Sequence, residues 1–156
     1  MELSVRPMAA ADTAACAAIA AADAEPWTES QLLSELQSPA ARLFTAEGEG
    51  VLGFAVFQLA AGEASLYALN VDPAARRKGV GAALLAGALA ALKAEGADQC
   101  FLEVRAANAP AIALYRRLGF AAAGSPIWAS AASTGSASVR SRIWWLASAL
   151  APPSAA

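Results

Sequence analysis

Three consecutive cations, Arg76, Arg77 and Lys78, stand directly before Gly79, Val80 and Gly81, and an alanine- and leucine-rich segment follows. A strand ending near Asn70-Val71, a glycine-containing loop and a helix starting at the second glycine would together expose unpaired backbone amides at the positive end of a helix dipole. That is a site for an anion: the glycines let a phosphate approach the amides, and the cations supply charge around it. The spacing is not that of a Walker loop, because Gly81 is followed by Ala82 and Ala83 rather than by a Lys-Ser/Thr pair. It is also not the dinucleotide fingerprint after a first strand, since four strands and two helices precede it. A cationic loop at a glycine helix start, with no ligand, is the plain alternative.

The chain contains 0 histidines, so a Ser-His-Asp triad cannot be built. A general base has to be a carboxylate, tyrosine, cysteine, lysine, a terminus or a water held by one of these. Glu103 stands out inside the apolar run CFLEV, where a carboxylate is costly unless it is paired or working, and partial desolvation would raise its pKa toward use as a base. Alternation puts Phe101 and Glu103 on one face of that run and Leu102 and Val104 on the other. The 2 cysteines, Cys16 and Cys100, are widely separated and give neither zinc spacing nor a disulfide framework, so no metal is expected and a reduced cytoplasmic protein is. A net charge of −2 with 15% charged residues makes no global basic field, which argues against nucleic acid as partner. The opening does not read as a leader, and the alanine-rich run at 14–22 is too short to cross a bilayer, so no membrane association is expected.

These residues need elements to hold them. LSVRP reads as a short strand stopped by Pro7, and a helix follows with Asp12 near its start and Cys16 and Ile19 on its apolar side. TESQ at 28–31 is a capping box opening a short helix whose buried side would be Leu32, Leu33 and Leu36. Residues 42–47 and 51–60 form a hairpin across GEG, and a third strand runs over 64–71. Leu84, Leu85, Leu89 and Leu92 stripe a helix over 81–95 that Gly96 closes, 100–104 is a strand, AANAP turns the chain, and 111–118 is a short helix ended by Gly119. The order is that of an α+β sandwich, with a mixed, mostly antiparallel sheet and one parallel crossover unit. One domain over 1–148 is expected, with a disordered tail at 149–156.

Arg76-Arg77-Lys78-Gly79-Val80-Gly81 has the form R-x-x-G-x-G, which resembles the acetyl-CoA pyrophosphate loop of the GNAT acetyltransferases. Together with EPWTESQL, LYALNVDPAARRKGVGAALL and FLEVRAANAPAIALYRRLGF, the chain is similar over roughly residues 3 to 120 to the RimI-like ribosomal-protein N-terminal alanine acetyltransferases. The resemblance implies a GNAT fold with a splayed strand pair at the acetyl-CoA site and acetyl-CoA as acetyl donor. It places Leu69, Asn70 and Val71 beside the thioester and pantetheine arm, where an amide could stabilise an oxyanion. Arg76 through Ala82 would hold the pyrophosphate, and Asn108 the pantetheine arm, although asparagine also favours turns for its own sake. Glu103 would be the general base, directly or through water, against the alternative of a structural ion pair with Arg105 or another arginine. Tyr115 would be the general acid for the departing thiolate, against an ordinary core role. Trp27, beside Pro26, would border the peptide groove or plug the core.

After GF the chain departs from the family. Where the family carries tyrosines and an acidic strand, this chain reads AAAGSPIWASAASTGSASVRSRIWWL, with no Asp or Glu after Glu103 and one strand over 139–146. A different amine acceptor and a reading-frame shift near codon 124 both account for the departure, and translating the other two frames separates them. The implied function is acetylation of a protein N-terminal amine, on a small-subunit ribosomal protein. A small-molecule amine or lysine acceptor, and a non-catalytic CoA-binding module, are the alternatives.

Overall fold

The computed structural model describes residues 2–23, 25–105, 107–122 and 138–144. Strand β1 (Ser4–Pro7) leads through a 3-10 turn (Ala10–Asp12) into helices α1 (Thr13–Ala20) and α2 (Glu29–Leu36). Strands β2 (Ala41–Gly48), β3 (Gly50–Ala60) and β4 (Glu63–Val71) form a meander, and helix α3 (Val80–Ala94) crosses back to β5 (Gln99–Arg105). Helix α4 (Ala109–Arg117) and strands β6 (Ala121–Ala122) and β7 (Ser138–Trp144) complete the described elements. The sheet order is β1-β2-β3-β4-β5-β7-β6, and β4–β5 is its parallel pair. The architecture is as anticipated; the strand expected over 139–146 is seen as Ser138–Trp144, β6 is an addition to the expected elements, and residues 145–146 and the 149–156 tail lie outside the described residues.

Both faces of the sheet are covered over β2 and β3, which is why those strands are apolar at both parities. Phe44, Ala55 and Phe57 pack with α3 residues Leu84, Leu85 and Leu92, while Leu43, Phe54 and Val56 pack with Cys16, Ile19 and Leu32 of α1 and α2. Burial of each leucine of the α3 stripe contributes roughly 1.5–3 kcal/mol. The capping box is formed: the Gln31 amide donates to Thr28 Oγ1 at 3.1 Å and the Thr28 amide to Gln31 Oε1 at 2.9 Å. Leu33 departs from expectation. It is 37% exposed, because Leu32 and Leu36, four residues apart, fill the inward stripe and Leu33 lies one step round the helix. Helix α4 also begins two residues earlier than expected, since Pro110 sits in its first turn, where a missing N–H costs nothing.

One irregularity in register shapes the site. Val56 pairs with Ala68 and Phe57 with Leu66, so Tyr67 is left without a partner on β3 as a β-bulge. On its other side β4 pairs with β5 only from Glu63–Gln99 to Leu66–Leu102. From the bulge onward, β4 is paired to β3 alone, and the two parallel strands splay.

Candidate active site

The loop leaving β4 is built by local rules. Asp72 Oδ1 accepts from the Ala74 amide at 3.0 Å and closes a 3-10 turn, Pro73–Ala75. Arg77 then takes φ 65 and Gly79 φ 80, the left-handed region that a non-glycine residue enters only with strain. Gly79 is the N-cap of α3, and its carbonyl accepts from Ala83 at 3.0 Å, so the amides of Val80, Gly81 and Ala82 precede the helical ladder. Gly79 is required for its φ. A β-carbon there would meet nothing within 4 Å, while one on Gly81 would make ordinary contact with Leu114 Cδ2 at 3.5 Å.

These amides face a cleft of about 630 Å³. Leu69, Asn70 and Val71 form the β4 wall, Arg76, Arg77 and Gly79 the loop, and Val80, Gly81 and Ala82 the start of α3. Asn108, Pro110, Leu114, Tyr115 and Arg117 form the opposing wall from α4. Of the residues proposed to grip the donor, the structure gathers all but Lys78, which is exposed and outside the lining. The volume lies within the range of about 300–1,000 Å³ usual for small-molecule sites.

Asn108 is the N-cap of α4, its Oδ1 accepting from the Ala111 amide at 3.3 Å, so its turn-forming role is real and its NH2 group remains for another partner. Tyr115 meets Phe120 edge to face at 5.9 Å, and the Phe120 amide donates to the Tyr115 carbonyl at 3.0 Å. Leu118-Gly119-Phe120 is thus the helix stop that brings a ring against the tyrosine. Burial pushes the Tyr115 phenol up to about 12. The same cause pushes the buried Cys100 thiol, which lies in the core outside this cleft, up to about 12.

Glu103 is not in this cleft. It borders a second hollow of about 450 Å³ with Ser65, Leu66, Tyr67, Phe101 and Leu102, at the mouth of the splay. The expectation of partial desolvation is corrected here. Glu103 is exposed, because α1 and α2 cover β2 to β4 and leave this face of β5 open, and among the described residues it makes no ion pair with Arg105. Trp27 packs half-buried against the α1–α2 core and lines neither hollow. Three residues carry no local signal in the sequence: Tyr67, whose bulge depends on how two strands pair, and Asp23 and Arg117, which tertiary packing brings to the cleft. Among the described residues no group of three metal-binding side chains occurs, and no helix is long and apolar enough to cross a membrane.

Comparison with known proteins accords with this geometry. Residues 12–120 match the acetyltransferase (GNAT) family. The [ribosomal protein bS18]-alanine N-acetyltransferase of Escherichia coli (strain K12) is 38% identical over 99 residues, covering 64% of this chain and 67% of that protein. The mycothiol acetyltransferase of Clavibacter michiganensis subsp. michiganensis is 43% identical over 98 residues, 62% of this chain but only 29% of that longer protein. Among solved structures, the Escherichia coli ribosomal-protein-S18-alanine N-acetyltransferase superposes with a TM-score of 0.77 at 30% identity, over 92% of this chain and 94% of that one. A Thermoplasma acidophilum PaiA N-acetyltransferase in complex with coenzyme A superposes with a TM-score of 0.77 over 93% of this chain and 100% of that one; at 18% identity it speaks for the fold alone.

Proposed function

The chain belongs to the GNAT acetyltransferase family, and from that premise we propose that it transfers an acetyl group from acetyl-CoA to a protein N-terminal amine, with a small-subunit ribosomal protein as acceptor. The observation that carries this reading is the meeting, on one cleft, of the unladdered amides of Val80–Ala82, the unpaired edge of β4 and the Tyr115 phenol.

The residues fit the donor. The amides of Val80, Gly81 and Ala82, with Arg76, Arg77 and Arg117 around them, suit a diphosphate. Beyond the bulge, β4 offers main-chain groups to an extended arm much as a sheet edge accepts a strand, and Asn108 can donate from its free NH2. Acetyl-CoA supplies an activated acyl group on a thioester. Glu103, at the mouth of the splay, takes the proton of the incoming ammonium, directly or through a water. The amine attacks the carbonyl carbon, the C–S bond breaks as Tyr115 gives its proton to the sulfur, and the second proton that the nitrogen loses on becoming an amide restores the Tyr115 phenol. The new products are an amide and a thiol, and no charge is left in the apolar part of the cleft.

Calorimetric titration with acetyl-CoA tests the donor site, and acetylation of peptides beginning with Ala or Ser tests the transfer. The stretch shared with mycothiol acetyltransferase keeps a small-molecule amine as second acceptor class. Turnover of small amines with none of peptides decides for it, and acetyl-CoA binding with no turnover of either makes the chain a binding module.

A further inference from the structure

We propose that Tyr67 is an acceptor-binding residue, its ring and the Glu103 carboxylate forming the two sides of a site for a primary ammonium at the mouth of the splay. The inference rests on the reading of a protein N-terminal amine as acceptor and names the part of this chain that holds that amine before it reacts.

Register brings the two residues together. Parallel pairing of β4 with β5 runs from Glu63–Gln99 to Leu66–Leu102, so Tyr67 and Glu103 stand one step beyond the last pair, on either side of the opening gap. Leu66 and Leu102 pack with the α3 core, which puts Glu103 on the other face of β5. The same alternation carries Tyr67 to that face. Ala68 lies there too, packed against the α1–α2 core, so the bulge sets two successive residues of β4 on one side of the sheet. Tyr67 and Glu103 accordingly line one hollow of about 450 Å³, to which Leu66, Phe101 and Leu102 add apolar surface.

No structural duty accounts for the ring. Tyr67 is 58% exposed, the one exposed aromatic residue among those described, and it belongs to neither core cluster. Among the described residues its hydroxyl has no hydrogen-bond partner. Bulges beside active sites re-aim a side chain, and this one takes Tyr67 out of its pairing with β3 and turns it toward the Glu103 hollow.

Ring and carboxylate select one kind of ligand. Glu103 supplies an anion, and the face of an aromatic ring carries the negative part of its quadrupole. Both attract a cation, and a primary ammonium has N–H donors for the carboxylate while its charge lies over the ring. A neutral amide or an anion gains from neither side. Arg105 also lies on this face, two residues and about 7 Å along β5 from Glu103, and is outside the lining of the hollow. Tyr67 therefore holds the amine against the base that deprotonates it. Because Tyr67 lies outside the donor cleft, its loss should be felt in the acceptor KM and not in acetyl-CoA binding.

The test compares Tyr67→Leu, which keeps apolar bulk, and Tyr67→Phe, which keeps the ring, with the parent on a peptide beginning with Ala. Tyr67→Leu should raise the acceptor KM by about two- to fivefold, the size of an exposed cation–π contact, while an unchanged Kd for acetyl-CoA reports an intact fold. Tyr67→Phe should bring the KM back. Unchanged KM in Tyr67→Leu, or an equal loss in Tyr67→Phe, overturns the inference and leaves N-terminal acetylation standing. A second measurement requires no turnover: the same peptide, with its N-terminus free or acetylated, is titrated by calorimetry onto the parent chain saturated with CoA. The free-terminus peptide should bind more tightly, with the difference shrinking in Tyr67→Leu, and equal binding by the parent overturns the inference whatever the variants do. If the free-terminus peptide is preferred in this way but no peptide is acetylated by the parent, the ammonium site stands and the transferase reading fails.

Discussion

Gly53 of β3 and Asn70 of β4 approach so closely that a β-carbon on the glycine would stand 2.8 Å from the Asn70 carbonyl oxygen. Backbone cannot move aside as a flexible side chain can, so Gly53→Ala must push β4 outward at the residues that form the cleft wall. Overpacking of this kind costs about 1–3 kcal/mol. A lower Tm and a raised Kd for acetyl-CoA are expected together. Gly87→Ala is the control: its β-carbon would meet Val5 Cβ at 2.8 Å, where α3 lies on β1 away from the cleft. It should lower Tm with Kd unchanged, and an unchanged Kd in Gly53→Ala would contradict the coupling.

Arg77 is held at φ 65 between the 3-10 turn and Gly79. A left-handed non-glycine residue costs about 1–2 kcal/mol, and strain of this kind collects at ligand sites. Arg77→Gly should therefore hold or raise Tm while weakening acetyl-CoA binding, because it relieves the backbone and deletes a charge. Gly79→Ala imposes strain at φ 80 and should lower both. Thermal melts beside calorimetry decide. If Arg77→Gly binds acetyl-CoA as the parent does, the arginine is not part of the grip.

Tyr115, pushed up to about 12 by burial, stays protonated through the working range, so no alkaline fall in kcat/KM below about pH 10 should come from it. Tyr115→Phe should lower kcat by about 10²–10⁴ while acetyl-CoA still binds. Glu103→Gln should slow turnover most at low pH, where the acceptor is an ammonium, and least at high pH, where it is already a free amine. Parallel pH–rate profiles for Glu103→Gln and the parent would remove Glu103 as base.

Arg6 forms a fork with Asp12, at 2.7 and 2.9 Å, and also reaches Glu47 at 3.1 Å, tying β1, the first 3-10 turn and β2 together. The guanidinium hydrogen bonds hold the Asp12 carboxyl below its ordinary value, reinforced by the Ala9 amide at 2.7 Å. A depressed carboxylate contributes stability that is present above its unfolded pKa, about 3.9, and lost as pH falls through the folded value. Asp12→Asn should cost about 1.5–3 kcal/mol at neutral pH. The gap from the parent should shrink as pH falls below about 4. A gap that stays constant to pH 2 would rule out linkage through this carboxyl.

How much of this was legible in the chain depends on the range of the cause. The α3 leucines, Gly96 and the Thr28–Gln31 box are set within one or two turns of helix, and each falls where its spacing puts it. The cleft wall was legible for the same reason, since Asn70 to Ala82 is one strand, one loop and one helix start. Glu103 lies in β5 as its sequence neighbours imply, but on an exposed face where those neighbours imply a desolvated one. Apolar neighbours in a strand report on the covered face, and only the placement of α1 and α2 decides whether the other face is covered. The Tyr67 bulge was invisible, because a one-residue slip between Phe57–Leu66 and Val56–Ala68 is a property of two strands and of neither alone. Leu33 shows the same limit on a helix, where three leucines compete for two inward places.

The turn joining β3 to β4 offers a test on the fold independent of catalysis. Ala61 and Gly62 have φ 51 and φ 79, both in the left-handed region that a two-residue hairpin of this hand requires. Gly62 meets the requirement freely, and Ala61 does so against the steric preference of its β-carbon. Asparagine tolerates this region better than alanine, and Asn-Gly is the pair such turns favour. Ala61→Asn should therefore stabilise the protein by about 0.5–1 kcal/mol, a rise of about 2–4 °C in Tm for each kcal/mol in a chain of this size. Acetyl-CoA affinity should not move, because the turn lies at the end of β4 opposite to Leu69–Val71. Ala61→Val adds a branched side chain at the same φ and should lower Tm. If Asn and Val shift Tm in the same direction, the left-handed backbone at Ala61 is not what limits this hairpin.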